Sequence, residues 1–260
     1  MIKLIVSDID GTLAEDGASA LNPELYREIL RLKEKGIYFA GASGRHAASM
    51  EYVFKPVCDK IFYIADNGAY VGCYGRNLFL TEYKKTLAKS MIADMKEAGL
   101  DLLVDCADCV YVDSKNPEFI DWMKNGYHFR MAELADLQEL DKPIVKIAGC
   151  RMSGIQDHET APFIKKYGKE LKVTLSGSQW LDTMDPGVNK GNAVRLLQES
   201  LGILPKETMA FGDQLNDVEM LQQAYYGFAV ANARLEVKEA ARFLADSNVN
   251  DGVLKILKLL

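Results

Sequence analysis

Two aspartates, Asp8 and Asp10, close the short apolar run that starts at Met1, in the stretch Asp8-Ile9-Asp10-Gly11-Thr12-Leu13. Alternate side chains of an extended backbone share a face, so the two carboxylates converge on one spot where Gly11 lets the chain turn. Converging carboxylates repel one another unless a cation joins them, and a divalent metal ion is the simplest candidate. Asp and Gly after a strand also make ordinary turns, so the pair needs company before it means chemistry.

That company comes from three places: Ser43-Gly44-Arg45, Lys190 within Gly187-Val188-Asn189-Lys190-Gly191, and Gly212-Asp213-Gln214-Leu215-Asn216-Asp217. On a phosphate monoester each residue type has a task. Asp8 can attack phosphorus once the repulsion between a carboxylate and a phosphate dianion is neutralised, by Mg2+ and by Lys190. Mg2+ takes hard oxygen ligands and keeps several waters, so Asp8, the backbone carbonyl of Asp10 and Asp213 form a reasonable partial shell. Ser43 and the Gly44 amide are placed to hold the remaining phosphate oxygens. Asp10 is the natural general acid, protonating the leaving alkoxide and later taking a proton from water; it must carry a proton when substrate binds. Singly, these segments have plainer readings: a loop at Ser43-Gly44, a solvated lysine at a helix start, a helix cap with a first-turn acid at Asp213 and Asp217. Their common position, at strand ends and helix starts along one sheet edge, favours chemistry.

The elements that must position them are legible in the hydrophobic pattern. Asn22-Pro23 starts a helix whose Leu25, Ile29 and Leu32 recur at helical spacing until Gly36. Apolar runs at 37–42 and 60–65 read as further strands, and the far end repeats the alternation, with a helix over 190–201 and strands over 208–211 and 225–230. Strands alternating with helices imply a doubly wound parallel sheet. Between these ends the pattern becomes α+β: a hairpin-like stretch over 69–80, helices over 84–97 and 158–167, and strands around 102–105, 110–113, 144–150, 171–176 and 180–184. The expected organisation is a core of residues 1–82 and 185–260 with a second domain over 83–184.

Of 260 residues, 48% are hydrophobic and 26% charged, enough for a sizeable core. The formal charge of −6 with dispersed basic residues argues against a nucleic-acid partner. No apolar run approaches the roughly 20 residues of a membrane span, and Met1–Val6 is too short for a signal peptide, so a cytoplasmic protein off the membrane is expected. Five scattered cysteines suit a reducing compartment; Cys106-Ala107-Asp108-Cys109 has redox or zinc spacing but no second pair to support it. His46, His128 and His158 show no metal-ligand spacing.

Taken together, Asp8-x-Asp10-Gly11-Thr12, Ser43-Gly44-Arg45, Asn189-Lys190-Gly191 and Gly212-Asp213-x-x-Asn216-Asp217 closely resemble the four motifs of the haloacid dehalogenase superfamily, and within it the Cof-type phosphatases. Asp66-Asn67-Gly68-Ala69 and Asn250-Asp251-Gly252-Val253 extend the resemblance over the whole chain. It implies a Rossmannoid core with an inserted α+β cap and Mg2+-dependent hydrolysis of small phosphorylated metabolites. Carried over by position, Asp8 is the nucleophile, Asp10 the acid/base and a metal ligand, Ser43 and Lys190 phosphate binders, Asp213 a metal ligand, Asn216 a phosphate or nucleophile-orienting residue, and Asp217 an outer metal partner. Ser43 stands where this branch often has Thr, which leaves the hydroxyl freer about χ1. Arg45 beside the phosphate, and Ser176-Gly177-Ser178-Gln179-Trp180 with Asp182, are candidates for contacting a sugar-like group. A phosphomutase or phosphotransferase would use the same aspartyl-phosphate, and a receiver-type phosphoacceptor module uses similar groups; the i+2 acid and the long insert speak against the latter. The expected partner is a small phosphorylated metabolite, and the expected state a monomer or small homo-oligomer.

Overall fold

A computed structural model describes residues 1–126, 129–176 and 178–260. His128 and Gly177, both noted above, lie outside the described residues. The chain divides into two units, Met1–Phe79 with Asn189–Leu260, and Leu80–Val188. The second unit starts earlier and ends later than 83–184. The apolar pattern stops at Met184, but the chain then turns back on Asp185, whose carbonyl accepts the Val188 N–H and whose side chain accepts the Gly187 N–H.

The first unit begins with β1 (Leu4–Asp8), α1 (Pro23–Glu34), β2 (Tyr38–Ala42), α2 (Ala47–Val53), β3 (Phe62–Ala65), β4 (Tyr70–Cys73) and β5 (Arg76–Leu80). The inserted unit holds α3 (Lys85–Glu97), β6 (Asp101–Cys106), β7 (Val110–Val112), α4 (Pro117–Asp121), β8 (Met131–Glu133), β9 (Ile144–Cys150), α5 (Asp157–Tyr167), β10 (Lys172–Ser176) and β11 (Trp180–Met184). The chain then adds α6 (Lys190–Leu201), β12 (Thr208–Gly212), α7 (Val218–Gln223), β13 (Tyr226–Val230), α8 (Leu235–Ala240), β14 (Phe243–Ala245) and α9 (Gly252–Leu257).

The strand order of the first unit is β14-β13-β12-β1-β2-β3-β4-β5, parallel from β14 through β3 and reversing at β4. Every residue of β1 is buried, as a central parallel strand covered on both faces requires. Helix α1 shows how local sequence serves this sheet. Asn22 Oδ1 accepts the Glu24 N–H at 2.9 Å, Pro23 occupies the first turn, and Leu25, Ile29 and Leu32 go inward. Each such side chain contributes about 1.5–3 kcal/mol by burial, and Asn22→Ala would remove about 1 kcal/mol of capping.

The inserted unit has a second sheet of order β10-β11-β9-β6-β7-β8, antiparallel except for β7 with β8. Leu102, Val104, Ile147 and Leu181 pack with Met91 and Met95 of α3 and Phe163 of α5 on one face. Leu103, Val110, Val112 and Ala148 pack with Phe119 and Met123 on the other. No helix of the described residues is long and apolar enough to cross a membrane.

Candidate active site

Parallel register brings the chemistry together. In the sheet, Asp8 lies level with Ala42 of β2, and Ser7 level with Phe211 of β12. The carboxyl ends of β1, β2 and β12 therefore deliver Asp8, Ser43 and Asp213 side by side, where open parallel sheets leave room for ligands. Gly11 makes the turn after β1 with φ +80°, and a methyl group there would lie 2.4 Å from Asp213 Oδ2. Both the backbone angle and the space restrict that position to glycine.

Lys190, in the first turn of α6, is fully buried, and its Nζ bridges Asp8 Oδ1 at 2.5 Å and Asp217 Oδ1 at 2.6 Å. Asp217 is itself locked, because its Oδ2 accepts the backbone N–H groups of Asp213 and Gln214 at 2.9 and 3.0 Å. Asp213 accepts from the Thr12 hydroxyl at 2.8 Å and from the Gln214 amide at 3.0 Å. Asp8, Asp213 and Asp217 offer oxygens that all lie within 4.8 Å of one another.

The electrostatics of this group are unbalanced. Three carboxylates face one ammonium, and like charges repel by about 4 kcal/mol at 4 Å in a protein-like medium. Burial, together with the Asp217 charge, pushes the Asp8 carboxyl well above the usual range despite Lys190, and burial also raises Asp213. The Lys190 ammonium moves up too, because the attraction of Asp217 and Asp8 outweighs its own desolvation. A divalent cation would relieve this imbalance, and the all-oxygen donor set of Asp8, Asp213 and Asp217 suits a hard ion such as Mg2+.

A second group adjoins the first through the Asp8-x-Asp10 spacing. The Arg45 guanidinium forks onto Asp10, with Nε to Oδ2 at 2.8 Å and a terminal nitrogen to Oδ1 at 2.5 Å, and also donates to the Ala18 carbonyl. The Asp10 side chain also accepts the Gly17 N–H at 2.9 Å. It thus stands apart from the oxygen cluster of the other three aspartates.

A model of the haloacid dehalogenase-like hydrolases matches residues 5–257. The chain belongs to that family. It is 29% identical to the 5-amino-6-(5-phospho-D-ribitylamino)uracil phosphatase YbjI of Escherichia coli, over 98% of this chain and 95% of the relative. It is 27% identical to the HMP-PP phosphatase of Cronobacter sakazakii, over 90% and 85% of the two chains. A crystal structure from Eubacterium rectale superposes with a TM-score of 0.92 at 33% identity, covering 99% of this chain and 98% of that one. This haloacid dehalogenase-like chain is accordingly a phosphoric monoester hydrolase.

Within this hydrolase the residues picked from the sequence fall into three sets. Asp8, Lys190, Asp213 and Asp217 converge. Ser43 is buried and its Oγ accepts the Arg45 N–H at 3.1 Å; Gly44 lies next to Asn67, whose Oδ1 accepts from Asn216 at 2.9 Å. Arg45, expected beside the phosphate, directs its guanidinium to Asp10 at the end of β1.

Sequence reasoning passed over the role of the Asp66-Asn67-Gly68 turn. Asp66 and Asn67 adopt φ of 50° and 57°, and their N–H groups donate to the Arg45 and Ser43 carbonyls. This turn backs both the Ser43 loop and Asn216. Two successive non-glycine residues at positive φ are the strained backbone that surroundings must hold in place, but such strain has no signature in a single sequence beyond the Asn-Gly pair.

The other residues noted in the sequence have the following surroundings. His46 is buried and its Nδ1 accepts the Ala48 N–H, capping α2. Cys106 and Cys109 are buried thiols, and burial pushes the Cys106 thiol up to about 12, far from a reactive thiolate. Trp180 packs against Phe119 and Trp122, with ring centroids 6.2 and 5.8 Å away. Gln179 donates to the Met152 carbonyl.

Proposed function

We propose that the chain hydrolyses small phosphorylated metabolites, sugar phosphates foremost, through an aspartyl-phosphate on Asp8, with Mg2+ as cofactor. The observation that supports this is the placement of Asp8, enclosed at the end of β1, against Lys190 and beside two further acids. The names of the relatives, one acting on a phosphoribitylamino-uracil and one on HMP-PP, are consistent with small phosphorylated substrates.

Bound Mg2+ would supply positive charge that screens the substrate phosphate from the three carboxylates, and Asp8, Asp213 and Asp217 are the side chains that would hold it. Lys190 fixes the rotamer of Asp8 through Oδ1 and adds its own charge. Asp8 attacks phosphorus; one O–P bond forms while the bond to the leaving alkoxide breaks, and that alkoxide takes a proton from Asp10. Water then attacks phosphorus, gives its proton back to Asp10, and frees phosphate and the Asp8 carboxylate. The guanidinium fork on Asp10 fixes the orientation of that carboxyl group for both halves of the cycle. The Ser43 hydroxyl, the Gly44 amide and Asn216 would orient the phosphate oxygens, and proximity of this kind is a large part of the rate.

Acid-quenched single turnovers with a radiolabelled sugar phosphate test this. Label should pass transiently onto the protein in a base-labile form and be absent from Asp8→Asn. Phosphate release with no labelled protein at any time point would remove the covalent step.

A further inference from the structure

The loop after β13 holds no residue assigned a chemical step, yet it grips two segments that do. In the first sheet β12 alone separates β13 from β1, so the end of β13 stands close to the turn that follows Asp8. From there Asn232 Nδ2 donates to the Gly11 carbonyl at 2.7 Å, and the Arg234 N–H donates to the Asp213 carbonyl at 3.1 Å. Asn248, at the start of the short helical turn Asn248–Asn250, closes the set. Its N–H donates to Asn232 Oδ1 at 3.0 Å, and its Nδ2 to the Ala14 carbonyl at 3.3 Å.

An asparagine after a strand ordinarily serves its own turn, bonding backbone a few residues away. Asn232 instead uses both ends of its carboxamide at long range, 16 residues away on one side and 221 on the other. The orientation of the group is fixed, because the Asn248 N–H calls for the oxygen and the Gly11 carbonyl for the nitrogen. Its target is the peptide that turns the chain directly after Asp10. Gly11 stands there at φ +80°, its N–H donates to the Ala14 carbonyl at 2.8 Å, and Asp10 itself bridges to Ala14. Asn232 and Asn248 thus hold two carbonyls of one small loop, and that loop aims the Asp10 side chain. Asn232 is exposed and adds nothing to the core, so the fold does not depend on it.

We infer that Asn232 is a positioning residue for Asp10: its carboxamide fixes the Gly11 peptide, and through it the direction from which Asp10 meets the leaving oxygen. Small displacements of a proton donor matter, since a misplacement of about 1 Å can lower a rate on the order of a hundredfold. The inference rests on the acid/base role proposed for Asp10. It is distinct from a role in stability, because a loosened Asp10 harms most the substrates whose leaving oxygen needs a proton.

Values of kcat/KM for 4-nitrophenyl phosphate and benzyl phosphate, measured on the full chain at saturating Mg2+, separate the two roles. Both esters carry one aromatic ring; the nitrophenolate leaves without a proton, whereas the benzyl alkoxide needs one. Asn232→Ala and Asn232→Asp each remove the donor. Both should lower kcat/KM for benzyl phosphate about tenfold more than for 4-nitrophenyl phosphate, as expected for one hydrogen bond lost from the transition state. Their melting temperatures should stay within a few degrees of the unmodified chain. Asn248→Ala, which keeps Asn232 but frees the Ala14 carbonyl, should shift the same ratio in the same direction and by less. Equal losses on both esters, or no loss on either, overturn the inference. So does unfolding of both Asn232 variants, or an unmodified enzyme that cleaves the nitrophenyl ester alone. Release of phosphate from neither ester by the unmodified enzyme sinks the hydrolytic reading itself, and this inference with it.

Discussion

Lys190 and Asp217 form a closed pair: Nζ and Oδ1 lie 2.6 Å apart with both side chains sealed from solvent, and the other Asp217 oxygen is held by two backbone N–H groups. The same ammonium reaches Asp8. Lys190→Met therefore removes one charge and strands two carboxylates in a buried site. Breaking a buried ion pair from one side costs about 3–5 kcal/mol. Urea unfolding should show a loss of that size, with Asp217→Asn in the same chain restoring part of it; full additivity of the two changes would contradict the coupling.

Asp8→Asn should abolish phosphate release from an aryl phosphate while the chain stays folded. The substitution removes one of three crowded charges, so the melting temperature in EDTA should hold or rise rather than fall. Residual turnover above about one part in a thousand of the unmodified rate would remove Asp8 as the attacking group.

Mg2+ should stabilise as well as activate. A ligand that binds only the folded state adds about 2.7 kcal/mol at a hundredfold excess over its Kd, so the melting temperature should climb with Mg2+ and return in EDTA. Activity should follow the same titration. Asp213→Asn should weaken both responses, and a melting temperature indifferent to Mg2+ would dissolve the proposed donor set.

Arg45→Lys keeps the charge but loses the two-pronged grip on Asp10. The expected outcome is about a tenfold drop in kcat with a melting temperature within a few degrees of the parent, a drop equivalent to about 1.4 kcal/mol of transition-state stabilisation. A change confined to KM would indicate that Arg45 contacts substrate instead.

Alkaline pH should loosen the fold through buried thiols. Burial raises Cys106 and Cys150 from 9.0 to about 12. The unfolded chain gives up these protons near pH 9 while the folded chain keeps them, so their contribution is whole below about pH 9 and is lost as pH rises toward about 12. Melting temperature should decline over that window, and less steeply in a Cys106→Ala, Cys150→Ala variant compared with its own value at pH 8. At pH 8 both thiols should resist a disulfide reagent until the chain unfolds.

The degree to which this molecule was readable differs from residue to residue. Helix α1 was plain because an Asn-Pro start, a 3.6-residue stripe and Gly36 are local signals. Asp8, Lys190, Asp213 and Asp217 could be grouped because each closes a strand or opens a helix. The pairing of Arg45 with Asp10 has no sequence signal, since the direction of a side chain leaving a loop depends on what the neighbouring strand presents. The packing of Trp180 on Phe119 and Trp122 depends on contacts across the sheet and has no local signal.

Short-range chemistry thus settled the doubly wound sheet, the family and the identity of the charged residues at the strand ends, because periodicity, capping and turn residues act over a few positions. Which carboxylate meets which cation was decided by packing alone. Lys190 is 182 residues from Asp8 along the chain, and Asp10 is 35 from Arg45. Contacts at that separation come from strand order and helix placement, and the same burial that creates them sets the electrostatic cost of crowding Asp8, Asp213 and Asp217 together.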